Sequence, residues 1–151
     1  MTKVLFICYG NICRSPMAQC VFTQLLKEEN LLSEFTVDSA ATSTEELGNP
    51  IYPPARAKLA EKGVPLLPHR SVQLQQRDYD RWDHILCMES RNVRDVLRIT
   101  GGDPAGKVRR LTDFTDRPRD VADPWYTGDF ELTYRDVVDG CRAFLAACRA
   151  K

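Results

Sequence analysis

The sequence is short of histidine, of net charge and of long apolar stretches. Its two histidines, His69 and His84, form no ligand-spaced pair, and the cysteine spacing fits no zinc pattern, so neither a catalytic metal nor a cofactor is expected. Basic and acidic residues balance at 21 each, which argues against a general binder of nucleic acid or another polyanion. No stretch approaches bilayer length, and the N-terminal apolar run is too short for the core of a secretion signal. The expectation is a cytoplasmic protein without membrane attachment. A Gly-rich dinucleotide fingerprint is missing as well, and so are internal repeats and low-complexity tracts. Six cysteines in a reducing compartment favour free thiols over a disulfide framework. At 151 residues the chain is expected to form one domain, 1–151, with a core that needs no staples.

What is present begins at Cys8-Tyr9-Gly10-Asn11-Ile12-Cys13-Arg14-Ser15. The apolar run Val4–Ile7 before it reads as a buried strand, and Ser15-Pro16 after it reads as a helix start, with Ser15 as N-cap and Pro16 at the first helical position. A loop between a strand end and a helix N-terminus turns backbone N–H groups toward one centre and favours an anion. Gly10 permits tight backbone there, and Asn11 tolerates a left-handed turn. Arg14 adds a planar fork of donors suited to two phosphate oxygens. Cys8 enters where the same positive field favours a thiolate able to attack phosphorus. Either residue alone would pass for a buried cysteine or a surface arginine. Their combination points to phosphate chemistry.

Along the rest of the chain, strand-like and helix-like patterns alternate. A helix is expected over Pro16–Asn30, a short strand at Phe35–Val37, a helix over Ala55–Lys62 closed by Gly63, and a strand at His84–Met88. A helix carrying Val93, Val96 and Leu97 follows, then a strand at Val108–Leu111, a polar loop over Thr112–Phe130 and a helix over Leu132–Ala150. Such alternation implies an α/β fold, a parallel sheet with helices on both faces and ligands at the strands' carboxyl ends. The Cys8 loop falls at one of those ends.

Cleaving a phosphate ester also needs a proton for the leaving group. Asp123-Pro124-Trp125-Tyr126 supplies a candidate acid, stiffened by Pro124, with two rings able to wall a pocket for an aromatic group. Asp-Pro is equally a common turn start. The N-terminal loop with Ser15-Pro16, the alternating pattern and the Asp-Pro-aromatic-aromatic loop together resemble the low-molecular-weight protein tyrosine phosphatases over essentially the whole chain. The resemblance implies a flavodoxin-like, four-stranded parallel sheet (phosphotyrosine protein phosphatase I-like), and a monomer acting on phosphotyrosine proteins, with inorganic phosphate and other oxyanions as competitive ligands. It implies Cys8 as nucleophile, Arg14 as phosphate clamp and Asp123 as general acid. Asn11, Ser15, Ser39 and His69 match positions that hydrogen-bond the phosphate loop into shape, and His84 reads as structural. Cys13 matches a cysteine that forms a reversible disulfide with the nucleophile.

Two positions depart from the family pattern. Tyr9 stands where an aliphatic residue is usual, and Glu45 where an aromatic one is frequent, so the walls expected around the pocket are Tyr9, Glu45, Trp125 and Tyr126. Glu45-Glu46 is equally a solvated acidic edge. Ile12 resembles the tyrosine-specific members, whereas Thr at that place marks phosphoarginine phosphatases and Ser the arsenate reductases. The reductase alternative needs a thiol relay, but Arg94 occupies the place after Cys87 where its partner would stand. A non-catalytic phosphotyrosine-binding module would lack the nucleophile or the acid, and both are present.

Overall fold

Both faces of the first strand, β1 (Thr2–Cys8), are buried. Alternate residues of a strand point to opposite sides, so Val4, Phe6 and Cys8 join one apolar cluster while Leu5 and Ile7 join another. In the computed structural model, which describes residues 1–150, β1 lies inside a four-stranded sheet of order β2-β1-β3-β4. All three pairings are parallel, with β2 at Phe35–Ala41, β3 at His84–Cys87 and β4 at Val108–Arg110. Helices α1 (Arg14–Glu28) and α6 (Phe130–Arg149) cover one face, where Phe22 packs edge-on against Phe6 and lies beside Phe144. The other face is covered by α4 (Ser90–Thr100), through Val96, and by the single turn α3 (Asp78–Arg81) with its neighbour Trp82. This is the flavodoxin-like architecture expected from the sequence.

The strand order places the switch point between β1 and β3. The chain leaves β1 toward α1 on one side of the sheet and leaves β3 toward α4 on the other, so a crevice opens between the two strand ends. Cys8 ends β1, and Glu89 lies two residues beyond the end of β3.

Several expected boundaries move, each for a physical reason. Strand β2 continues past Val37 because Ser39, Ala40 and Ala41 pair with Phe6, Ile7 and Cys8 of β1. Helix α1 begins at Arg14, with Cys13 rather than Ser15 at the cap. Ser15 does not cap the helix because its hydroxyl is held inside the preceding loop. Pro16 still lies within the first turn, where its missing N–H costs no helical hydrogen bond. Helix α2 spans Pro53–Glu61, and Gly63 closes it in the left-handed conformation at φ 71°. The expected loop over 112–130 contains part of a 3₁₀ turn, Leu111–Phe114, and the short helix α5 (Pro124–Thr127). Helix α6 starts at Phe130 because Asp129 accepts a hydrogen bond from the Leu132 amide. His84 sets its ring edge-on to Phe144, consistent with its structural reading. Among the described residues, no helix is long and apolar enough to cross a membrane.

Candidate active site

The segment from Cys8 to Arg14 curls over the end of β1 with its carbonyls turned outward. Those of Cys8 through Ile12 are each held by a donor from elsewhere in the molecule. Thr42 N–H binds the Cys8 carbonyl, Ser43 binds that of Tyr9 through both N–H and hydroxyl, and Ser71 Oγ donates to Gly10 O at 2.9 Å. His69 Nε2 lies 2.6 Å from Asn11 O, and Tyr52 N–H donates to Ile12 O at 2.8 Å. A carbonyl only accepts, so His69 carries its proton on Nε2. Burial holds the His69 pKa below its ordinary value, although the Asn11 carbonyl works the other way.

With the carbonyls anchored outward, backbone N–H groups converge on the Cys8 sulfur. The amides of Asn11 and Ser15 donate to Sγ at 3.2 and 3.4 Å, and Ser15 Oγ lies 3.0 Å from it. Asn11 adopts the left-handed conformation at φ 58°, as its residue type permits. Its side-chain amide spends both hydrogens, on Ser15 Oγ at 2.7 Å and on Ser39 Oγ at 3.0 Å. Because Ser15 Oγ accepts from Asn11, its own proton is free to point at sulfur. Ser39 Oγ in turn donates to Gln19 at 2.7 Å. Asn11, Ser15, Ser39 and His69 are thus brought together around the loop.

Arg14 is 2 % exposed, and its guanidinium faces three acceptors. Nη1 donates to Val121 O at 2.9 Å and approaches Glu89 Oε2 at 3.2 Å, while Nη2 lies 3.4 Å from Asp123 Oδ2. Burial opposes the charge, but Cys8, Asp123 and Glu89 outweigh it and hold the Arg14 pKa above its ordinary value. Asp123 caps α5: its Oδ1 accepts from the Trp125 amide at 3.0 Å, which leaves Oδ2 facing the arginine. Asp123 thus starts the turn, as Asp-Pro often does, and also faces the cavity beside Arg14.

Above the sulfur opens a cavity of about 130 Å³ floored by the loop from Cys8 to Arg14. Glu45, Glu46, Trp125 and Tyr126 form its walls beside Asp123. The Trp125 ring packs on Tyr52 with centroids 4.8 Å apart, and the Arg91 guanidinium sits 4.7 Å over the Tyr9 ring. Cys13, in the same loop, is buried and lines the cavity, and burial first, then the neighbouring Cys8 and Asp123, push its thiol pKa up to about 12. Cys87 is fully buried, and desolvation raises its thiol pKa too. No group of three or more His, Cys, Asp or Glu side chains among the described residues could hold a metal ion.

Sequence reasoning missed Glu89, Gln19, Tyr52, Ser71 and the Val121 carbonyl. For Glu89 a signal existed, since it closely follows β3 and strand carboxyl ends carry ligand sites. The others act through hydrogen bonds between distant segments that no periodicity marks.

Residues 3–151 match the family model of the low molecular weight phosphotyrosine protein phosphatases. The human low molecular weight phosphotyrosine protein phosphatase is 39% identical over 148 residues, covering 95% of this chain and 93% of the human one. The crystal structure of YfkJ from Bacillus subtilis superposes with a TM-score of 0.96 at 32% identity, over 99% of this chain and 96% of that one. Vibrio vulnificus Wzb in complex with benzylphosphonate superposes with a TM-score of 0.82 at 28% identity, over 95% and 96% of the two chains.

Proposed function

We propose a catalytic mechanism for this chain, which belongs to the low molecular weight phosphotyrosine protein phosphatase family, a family of hydrolases. Cys8 attacks the phosphorus of a phosphotyrosine in line, and the tyrosine phenolate departs as Asp123 protonates it. Asp123, now ionised, takes a proton from the water that attacks the phosphocysteine, releasing inorganic phosphate and restoring the Cys8 thiolate. Ser15 donates its hydroxyl to that sulfur, which makes it a better leaving group in the second step. Loop amides and the Arg14 fork stabilise charge on the equatorial oxygens, so the chain's own donors serve where other phosphoryl-transfer sites use a metal.

The observation that carries this reading is the Cys8 sulfur with its three donors: two backbone amides and the Ser15 hydroxyl. Hydrogen bonds to an ionised acceptor are stronger than neutral ones, so this arrangement favours negative sulfur. Arg14 and Asp123 line the same cavity. The complex of Wzb with benzylphosphonate supports an arylmethyl phosphonate, and hence an aryl phosphate, as the ligand class. Trp125 and Tyr126 would then flank the phenol ring.

The purified chain is expected to hydrolyse phosphotyrosine peptides well ahead of phosphoserine and phosphoarginine substrates, with inorganic phosphate as a competitive inhibitor. Faster turnover of phosphoarginine would favour the related phosphatase activity instead. Tight binding of phosphotyrosine without turnover would make the chain a binding module.

Cys13 is proposed as the redox partner of Cys8. Peroxide oxidises the Cys8 thiolate to a sulfenic acid; the Cys13 sulfur attacks that sulfur, a disulfide forms and water leaves. While Cys8 is anionic, its charge helps keep Cys13 protonated. Oxidation removes that contribution, while burial, the larger cause, remains. Cys13→Ser is expected to keep most of its turnover but to recover poorly with dithiol after mild peroxide. Recovery equal to wild type, with no Cys8–Cys13 bridge by mass spectrometry, would remove the protective role.

A further inference from the structure

Glu89 occupies the N-cap position of α4, yet its carboxylate is turned to Arg14. Asn92 Oδ1 accepts from the Glu89 N–H at 3.0 Å in a capping box, and a carboxylate from a distant segment serves the helix end as well. Asp120 Oδ1 accepts from the Ser90 amide at 2.9 Å, from the Ser90 hydroxyl at 3.1 Å and from Arg110 Nη1 at 3.0 Å. Arg110 is itself steadied by Asp113, whose Oδ1 accepts from Nε at 3.0 Å. Partial burial opposes ionisation of Asp120, but the Ser90 amide and Arg110 outweigh it and hold the carboxyl below its ordinary range.

The next residue extends the pin toward the chemistry. Val121 N–H donates to Met88 O at 2.8 Å, and Val121 O is the carbonyl that receives Arg14 Nη1. Thr133 Oγ1 then donates to Ala122 O at 3.1 Å, and Asp123 follows. Two residues separate Asp120 from Asp123, so where the first is fixed limits where the second can stand. Past Asp123, Trp125 is 52% and Tyr126 83% exposed. A half-exposed ion pair contributes little to global stability, so the role of this network is placement.

We propose that Asp120 is a positioning residue: by pinning its segment to the N-terminus of α4 it sets the place of Asp123. This rests on Asp123 being the general acid, and the test separates the two. It compares kcat/KM over aryl phosphates from p-nitrophenyl to phenyl phosphate for wild type, Asp120→Ala, Asp120→Asn, Asp123→Asn and the double variant Asp120→Ala/Asp123→Asn. Misplacing a reacting group by about 1 Å costs up to roughly 10²-fold. A loss of that order is expected for Asp120→Ala on phenyl phosphate, with far less on p-nitrophenyl phosphate. Asp120→Asn keeps an oxygen for the Ser90 amide and is expected to lose less. The double variant should be no slower on phenyl phosphate than Asp123→Asn alone, because the acid being positioned is already gone. Circular dichroism checks the fold, and if Asp120→Ala fails to fold, Asp120→Asn carries the test. An even loss across the series, or none, with Asp123→Asn still dependent on the leaving group, overturns the positioning role and leaves the acid standing. Should Asp123→Asn itself show no such dependence, the general acid is wrong and the role of Asp120 falls with it.

Discussion

Cys8→Ser is expected to lose turnover by roughly 10⁴–10⁶-fold, the scale on which removing a covalent nucleophile acts. A serine hydroxyl stays protonated at neutral pH, and the two amides and Ser15 around the Cys8 sulfur cannot ionise it. Binding should survive. The carbonyl anchors of the loop come from Thr42, Ser43, Ser71, His69 and Tyr52, none of which the substitution touches. Calorimetry should therefore find inorganic phosphate bound at least as tightly as by wild type, since a negative charge beneath the anion is gone. Hydrolysis near the wild-type rate would remove Cys8 as the nucleophile. Loss of both turnover and phosphate binding would make the thiol a structural element of the loop.

Asp123→Asn is the second large effect. General acid catalysis typically contributes about 10²–10⁴-fold, and the loss should approach that range for phenyl phosphate in kcat/KM. It should shrink steadily toward p-nitrophenyl phosphate, whose phenolate departs unaided. The amide side chain keeps an oxygen for the Trp125 N–H, so the α5 cap survives the change. It removes the carboxylate that faces Arg14 Nη2 at 3.4 Å, and Glu89 and the Val121 carbonyl remain to hold the guanidinium. An equal loss for every leaving group would mean that Asp123 serves the architecture of the loop and not proton transfer.

The acidic wall of the cavity bears on substrate choice. Glu45 and Glu46 line one side, and Glu46 also accepts from the Asn49 side chain at 2.6 Å. Tyr9 provides a ring at the floor, but that ring is covered by Arg91. Trp125 and Tyr126 are the exposed rings of the cavity wall.

The arginines of α4 and β4 are largely partnered. Arg98 pairs with Asp95, Arg110 with Asp113 and Asp120, Arg91 lies over Tyr9 and Arg109 over Phe114. In Arg77–Asp83, Tyr79 and Trp82 turn into the second core, so that segment covers the sheet.

What the sequence determined by itself is local. The run Val4–Ile7 forms a strand because it is apolar on both faces, Asn11 takes the left-handed turn, and the apolar stripes of α1 and α6 set where those helices lie. The residue content of the phosphate loop and of Asp123-Pro124 was likewise legible, because tight turns and helix caps tolerate few residue types. What only the tertiary structure decided is which distant groups meet. Arg14 and Asp123 lie 109 positions apart, and sheet order alone brings β1 and β3 to one crevice where Glu89 can join them. The outward anchoring of the loop carbonyls and the Asp120 pin on α4 are hydrogen bonds between irregular segments. Hydrophobic periodicity encodes burial, and burial fixes strands and helices. A hydrogen bond across loops needs one donor and one acceptor at the right distance, and it leaves no repeating mark in the chain.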